Sequence, residues 1–273
     1  MPAQLTHIFP SLSIPEFLNL LRLRLRKLLT ALTTPYFRKA LFHARVVPSL
    51  EHWYILARPW RTVVDIGANR GQFTLAARVW SSARVHAFEP LPQAAALFRA
   101  AVGADEHVIL HPYAIGPKSE ERVIHVARRD DSSSLLKIGP EQSRLFPGTD
   151  EVAQLTVTVR PLRTFLENVD IAAPALLKLD VQGFEYEALL GCLELLHTFD
   201  QIICGCSFLE LYEGQKLAAD VIVLLGEHGF VLSGLYNPAY DKIGQCIQAD
   251  LLFSRRGGTS ASPDLGSSSL LAR

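Results

Sequence analysis

Apolar positions along this chain fall into two rhythms. Short apolar runs recur at residues 62–66, 84–88, 107–111, 175–179 and 202–208. Runs of this length, bounded by turn residues, predict strands buried on both faces. Between them the spacing changes: Phe73, Ala76, Ala77 and Trp80 stand at i, i+3, i+4 and i+7. That period predicts a helix over 72–80, and further helices are expected over 92–102, 184–196 and 217–227. Pro92 suits a first helical turn. A short helix is expected over 161–169. Segments 121–127 and 155–159 look like strands, the second with alternating apolar positions. The segments 230–235 and 247–253 follow one another with no helix between, which predicts an antiparallel edge pair. Strands alternating with helices give an α/β fold, a doubly wound and mostly parallel sheet.

The two ends of the chain differ from this body. Pro2, Pro10 and Pro15 break up the start, and then Leu18, Leu21, Leu25, Leu28 and Leu32 form one helical stripe. Arg22, Arg26 and Lys27 lie off the stripe, so 16–32 reads as a basic amphipathic helix. The first expectation is a helix packed on the main domain or on a partner chain. The alternative is peripheral contact with an anionic membrane. Residues 1–50 are read as an N-terminal helical extension, 51–256 as the main domain and 257–273 as a disordered tail. The polar stretch 128–150 is too long for an ordinary connection, which marks it as functional or disordered.

Charge narrows the partners. Lys plus Arg equals Asp plus Glu at 27 each, so no global field draws in nucleic acid. The four cysteines, Cys192, Cys204, Cys206 and Cys246, form no pair with zinc spacing. They read as buried free thiols in a reducing compartment, and with no signal peptide or spanning run the expected location is cytoplasmic.

The chemistry is expected at the carboxyl ends of the parallel strands, where open α/β sheets bind ligands. The first strand ends in Asp65-Ile66-Gly67-Ala68-Asn69-Arg70-Gly71 and the second in Glu89-Pro90. Gly67 and Gly71 allow a tight turn and close backbone approach. Asn69 occupies the place of a dinucleotide fingerprint's second glycine, which counts against a pyrophosphate ligand. Glu89 is placed to accept hydrogen bonds from ribose hydroxyls. Together these features suit S-adenosylmethionine.

Five stretches carry a family likeness: VVDIGANRGQFT (63–74), HAFEP (86–90), DDSSSLL (130–136), LLKLDVQGFEYEALLG (176–191) and SFLELYEG (207–214). In this order they resemble the FkbM family of S-adenosylmethionine-dependent methyltransferases. The resemblance covers roughly 60 to 254. It implies a class I, Rossmann-like methyltransferase fold and usually O-methylation of hydroxyls on sugars or natural products. The chain departs from the family at Ile203-Cys204-Gly205-Cys206, where a plainer β-branched strand is expected.

The cofactor side is expected to comprise Asp65, Gly67, Ala68, Asn69, Gly71, Phe73, Glu89 and Pro90, with Tyr113 or Ala114 covering the adenine. An alcohol acceptor has a proton to lose, so a base or a metal is useful. Asp180, at a strand end beside Gly183, is the first candidate base, and the candidate ligand if a divalent metal is used. Glu210 is the second candidate base. Ser132, Ser133, Ser134, Gln182 and Glu185 are candidate acceptor contacts. Two other readings stand beside this one. One is a nicotinamide-dependent oxidoreductase or sugar epimerase using Tyr212 and Lys216 as a Tyr-x-x-x-Lys pair. The other is a non-catalytic binding module on the same scaffold.

Overall fold

The computed structural model describes Thr30 and residues 32–257. Most of the amphipathic segment 16–32, and the tail from 258, lie outside the described residues.

Seven strands form the main sheet: β1 (Thr62–Ile66), β2 (Arg84–Phe88), β3 (Val108–His111), β7 (Ala175–Leu179), β8 (Gln201–Ser207), β9 (Phe230–Tyr240) and β10 (Cys246–Arg255). Their order is β3-β2-β1-β7-β8-β10-β9. The first five run parallel, and β10 is antiparallel to both β8 and β9. Every residue of β1 and β7 is buried, which accounts for their unbroken apolar runs. The strand order reverses between β1 and β7, so a crevice opens above their carboxyl ends.

Helices α1 (Pro35–Ala44), α2 (Trp53–Leu56), α3 (Gln72–Trp80), α4 (Pro92–Val102), α5 (Pro140–Leu145), α6 (Glu185–Leu190) and α7 (Ala218–Glu227) accompany the strands. α1 is held by burial of Phe37 and Ala40 against Phe98 and Ala101 of α4. Phe37 also meets Trp80 edge to face at 6.1 Å. A second sheet, β4 (Ala114–Ile115), β6 (Glu151–Arg160) and β5 (Glu120–Ala127) in the order β4-β6-β5, stands beside the crevice.

Three expectations are corrected. The stretch 128–150 is not open loop: a 3-10 turn at Asp130–Ser132, a bridge from Ser134 to His125 and helix α5 tie it down. The span 161–169 is not one helix but 3-10 turns at Leu162–Thr164 and Asn168–Asp170, separated where Leu166 turns into the core. The helix expected over 184–196 stops at Leu190 and resumes as a 3-10 segment, Leu193–Thr198. Gly191 lies at that break because its backbone presses on Gly116, where a Cβ would stand 2.4 Å from the carbonyl oxygen.

Candidate functional site

The turn after β1 fixes one wall of the crevice. Gly67, Asn69 and Gly71 all have positive φ, at 77°, 45° and 89°. Gly67 is needed for a second reason: a Cβ there would stand 2.0 Å from the carbonyl oxygen of Asp180. The backbone N–H groups of Gly67 and Ala68 both donate to the Phe88 carbonyl at 3.0 Å, which binds the turn to the end of β2. Gly71 then opens α3, its carbonyl accepting from the Leu75 N–H at 2.8 Å.

Glu89 is stapled at the end of β2. Its Oε2 accepts from the Asn69 N–H and its Oε1 from the Leu91 N–H, each at 2.8 Å. Burial pushes its pKa up to about 7, although those two hydrogen bonds work in the opposite direction. The carboxyl group is thereby oriented with acceptor capacity left for a pair of ligand hydroxyls. Behind it, Phe88 stacks on His111 at 4.5 Å, and Tyr113 leans on Phe165 at 4.8 Å. Tyr113, Ala114 and Ile115 form the adjoining wall.

The floor belongs to β1 and β7. Lys178 is the one charged residue in the apolar run Ala175–Leu179, and its ammonium reaches the turn. Lys178 Nζ lies 3.0 Å from Asp65 Oδ1, donates to the Gly67 carbonyl at 2.8 Å and lies 4.0 Å from Asp180 Oδ2. Burial would favour the neutral amine, but the charges of Asp65 and Asp180 outweigh it, and the Lys178 pKa is raised. Asp180 sits on the cleft floor with 48% of its side chain open to the cleft. It is ringed by protein on its other sides, and that desolvation, opposed by Lys178, raises its pKa.

The turn after Asp180 is held rigidly rather than loosely. Gln182 and Gly183 take positive φ of 57° and 96°. Glu185 accepts the N–H groups of Val181 at 3.0 Å and Gly183 at 2.9 Å on its two oxygens. Its burial pushes its pKa up to about 8, and the nearby Asp180 charge adds to this. Gln182 donates to Asp180 Oδ1 at 2.7 Å and accepts from the Tyr212 hydroxyl at 2.9 Å.

These walls enclose a cleft of about 1460 Å³. Gly67, Ala68, Asn69, Phe73, Glu89, Pro90, Tyr113, Ala114, Ser133, Ser134, Asp180, Gln182 and Glu185 all line it. Four expected site residues lie elsewhere. Asp65 is fully buried behind the wall, with Thr74 Oγ1 on its Oδ2 at 2.7 Å and Lys178 at its Oδ1. Gly71 serves the helix start. Ser132 points its hydroxyl at Asp131, and its carbonyl accepts from the Tyr212 hydroxyl at 3.1 Å. Glu210 is exposed over a separate, shallower depression and accepts the Gly214 N–H at 2.7 Å, because the chain turns outward after β8.

Other assignments also change. Ser133 Oγ accepts from the Ala127 N–H and Ser134 Oγ from the Leu136 N–H, so both hydroxyls first serve to pin the loop. Glu185 faces the cleft but has committed both oxygens to the turn. Arg70 clamps Asp130 through Nε at 2.9 Å and Nη2 at 2.8 Å, joining the glycine turn to the loop 128–150. The pair Tyr212 and Lys216 does not assemble: the Lys216 ammonium lies over the Tyr186 ring at 5.9 Å, and Tyr212 is buried against Gln182 and Ser132. Among the described residues, no three His, Cys, Asp or Glu side chains are placed to hold a metal ion. No described helix is long and apolar enough to cross a membrane.

A family model described as the methyltransferase FkbM domain matches residues 65–232, more than half of the chain. The chain belongs to the FkbM methyltransferase family. The match begins at Asp65, spans the glycine turn, Glu89, Lys178 and Asp180, and ends in β9. The sheet order, with its antiparallel β10, is that of a class I methyltransferase. No curated protein matches the chain.

Among solved structures the chain is similar to a methyltransferase FkbM from Methylobacillus flagellatus KT, at 15% identity and a TM-score of 0.44. That match covers 86% of this chain and 60% of the other, so the chain spans less than two thirds of that relative's length. It is also similar to a Streptococcus mutans protein in complex with SAH, at 12% identity and a TM-score of 0.41, covering 82% and 98% of the two chains. An rRNA methylase from Streptococcus thermophilus matches at 14% identity and a TM-score of 0.39, over 74% and 93%.

Proposed function

We propose that this chain transfers the methyl group of S-adenosylmethionine to a hydroxyl of a sugar, a glycan precursor or a natural product. One observation carries the reading: Glu89, oriented by two backbone N–H groups, and Asp180, half open on the floor, face the same cleft on either side of Gly67.

S-adenosylmethionine supplies a methyl group on a positively charged sulfur, ready for in-line displacement. Glu89 would hold its ribose hydroxyls. Gly67 and Ala68 give backbone access without a large side chain, and Tyr113 with Ala114 would flank the adenine. Asn69, with its side-chain oxygen already accepting the Arg70 N–H at 2.8 Å, leaves no cradle for a pyrophosphate. Behind that wall Phe88 stacks on His111, and Phe165 packs edge-on against Phe88 and tilted against His111.

Asp180 is the group suited to take the acceptor's proton. Gln182 engages its Oδ1, which leaves Oδ2 for the hydroxyl hydrogen. A carboxylate with a raised pKa is a stronger base than an ordinary one, and the Lys178 ammonium at 4.0 Å favours its charged form. Holding the acceptor oxygen in line accounts for the larger share of the rate.

Mass spectrometry of a cell extract incubated with the protein and methyl-labelled S-adenosylmethionine tests the reading. A labelled O-methyl ether is the expected product. Label only on nitrogen or carbon would overturn the hydroxyl assignment. Peripheral membrane contact through 16–32 is a separate proposal, read by pelleting the full chain with anionic vesicles.

A further inference from the structure

The antiparallel strand β10 adds a second carboxylate to the cleft floor. Asp250 pairs with Gly205 on β8 and with Tyr236 on β9. Its Oδ2 accepts two hydrogen bonds, from Asn237 Nδ2 at 2.7 Å and from His52 Nε2 at 3.1 Å. His52 Nδ1 is buried without a partner. The tautomer that leaves no buried N–H unpaired carries its proton on Nε2, so that proton is given to Asp250. Asp250 Oδ1 receives no hydrogen bond among the described residues. Burial pushes the Asp250 carboxyl up, but the bonds from His52 and Asn237 and the charge of Lys178 outweigh it and hold its pKa low.

Gly205 makes room between the two acids. A Cβ placed on it would lie 3.7 Å from Asp180 Oδ1 and 3.9 Å from Asp250 Oδ1. Asp180 Oδ1, which also accepts from Gln182, and the unbonded Asp250 Oδ1 therefore border one small space, at the position where the sequence departs from a plain β-branched strand. Amide side chains accompany the two acids: Gln182 donates to Asp180, Asn237 donates to Asp250, and Gln248 also lines the cleft. At the mouth, Trp53 and Tyr54 are 40% and 71% exposed and sit edge to face at 4.8 Å. Carboxylates and amides for hydroxyls, with exposed rings for apolar C–H faces, are complementary to a carbohydrate. His52, Asn237 and Asp250 all lie outside the segment 65–232 that matches the family.

We propose that Asp250, positioned by His52 and Asn237, binds the acceptor together with Asp180, and that the two seat neighbouring hydroxyls of a carbohydrate over Gly205. The proposal rests on the methyltransferase reading above and names the acceptor side of the same cleft.

The test uses the full chain, labelled S-adenosylmethionine, the methyl glycosides of glucose, galactose, mannose and rhamnose as probes, and tyramine as a non-carbohydrate control. The wild type is expected to methylate at least one glycoside. Asp250→Asn is expected to lower kcat/KM roughly tenfold to a hundredfold, chiefly through KM, since it weakens hydrogen bonds to a charged group. Gly205→Ala fits in ordinary van der Waals contact, so it keeps the fold, and it should raise KM by filling the space. It also serves as the deciding variant if Asp250→Asn does not fold. His52→Gln, which retains an N–H donor, should lose less than His52→Ala. S-adenosylhomocysteine affinity, read by calorimetry, should not change in any variant. Unchanged KM in Asp250→Asn and Gly205→Ala overturns the proposal, as does methylation of tyramine with no glycoside accepted, or cofactor binding with no glycoside methylated. Failure of the wild type to bind S-adenosylhomocysteine overturns the methyltransferase reading instead.

Discussion

Lys178 Nζ stands 3.0 Å from Asp65 Oδ1, in the middle of a sheet whose two central strands are buried throughout. Neither residue is a surface ion-pair partner: Asp65 has no exposure and the Lys178 side chain 9%. The pair ties β1 to β7, and through the Gly67 carbonyl it also ties the cofactor turn to the floor. Removing one partner strands the other's charge. Lys178→Met is expected to cost about 3–5 kcal/mol of unfolding free energy. Asp65→Asn with Lys178→Met should cost less than the sum of the singles, because the pair fails together. Urea denaturation of the three variants measures this, and strict additivity would show that the ion pair is not the link.

Gly67 faces a hard limit. An alanine methyl there would collide with the Asp180 carbonyl at 2.0 Å and would sit at a φ of 77°. The positive φ alone costs on the order of 1–3 kcal/mol for a residue with a side chain, and the clash adds to it by forcing β1 and β7 apart. Gly67→Ala should therefore lower the melting temperature and displace Asp180. Wild-type melting and wild-type turnover in that variant would show that the turn and the floor are not coupled.

Much of this was legible in the sequence because buried parallel strands write themselves as apolar runs. The turn Gly67–Gly71, Glu89 after β2 and Asp180 after β7 needed only strand ends and residue chemistry. What the sequence hid depends on contacts distant along the chain. Lys178 was visible as a lone charge in an apolar run, but its partners Asp65 and Gly67 lie more than a hundred residues away. Asp250 becomes a cleft residue only because β10 inserts between β8 and β9, and no local period encodes that placement. Glu210 misled for the converse reason. It follows β8 in sequence, yet the chain turns outward there and carries the carboxylate away from the cleft.

Tyr212 joins two segments that the sequence keeps apart. Its buried hydroxyl shares its one hydrogen between the Gln182 side-chain oxygen at 2.9 Å and the Ser132 carbonyl at 3.1 Å, linking the loop 128–150 to the turn beside Asp180. Tyr212→Phe leaves both acceptors unpaired and should cost about 1–3 kcal/mol. It also frees Gln182 from its orientation toward Asp180, so turnover should fall more than cofactor affinity. Lys216→Ala should leave turnover unchanged, since Lys216 contacts Tyr186 and not Tyr212. Loss of activity in Lys216→Ala would revive a Tyr–Lys mechanism.

Two buried acids set the pH dependence. Burial raises Glu89 to about 7 and Glu185 to about 8, against an ordinary value of 4.5. Below the ordinary value both folded and unfolded chains hold these protons. As pH rises, the unfolded chain releases them first, so stability from these groups falls until the folded carboxyls ionise as well. The ligand-free protein should therefore melt at progressively lower temperature from about pH 5 to about pH 8. Ribose hydroxyls donating to Glu89 favour its ionised form, so S-adenosylhomocysteine should bind more tightly at about pH 8 than at about pH 6 and release a proton on binding. Calorimetry in buffers of different ionisation enthalpy measures that proton, and pH-independent affinity would contradict the assignment of Glu89 as the ribose ligand.

Isothermal titration of the full chain with S-adenosylmethionine, repeated on Glu89→Ala, is the most direct test. The predicted result is one site per chain in the wild type and a loss of roughly tenfold or more in affinity when the carboxylate is removed. No binding by the wild type, or equal binding by both proteins, would contradict a cofactor cleft organised around Gly67 and Glu89.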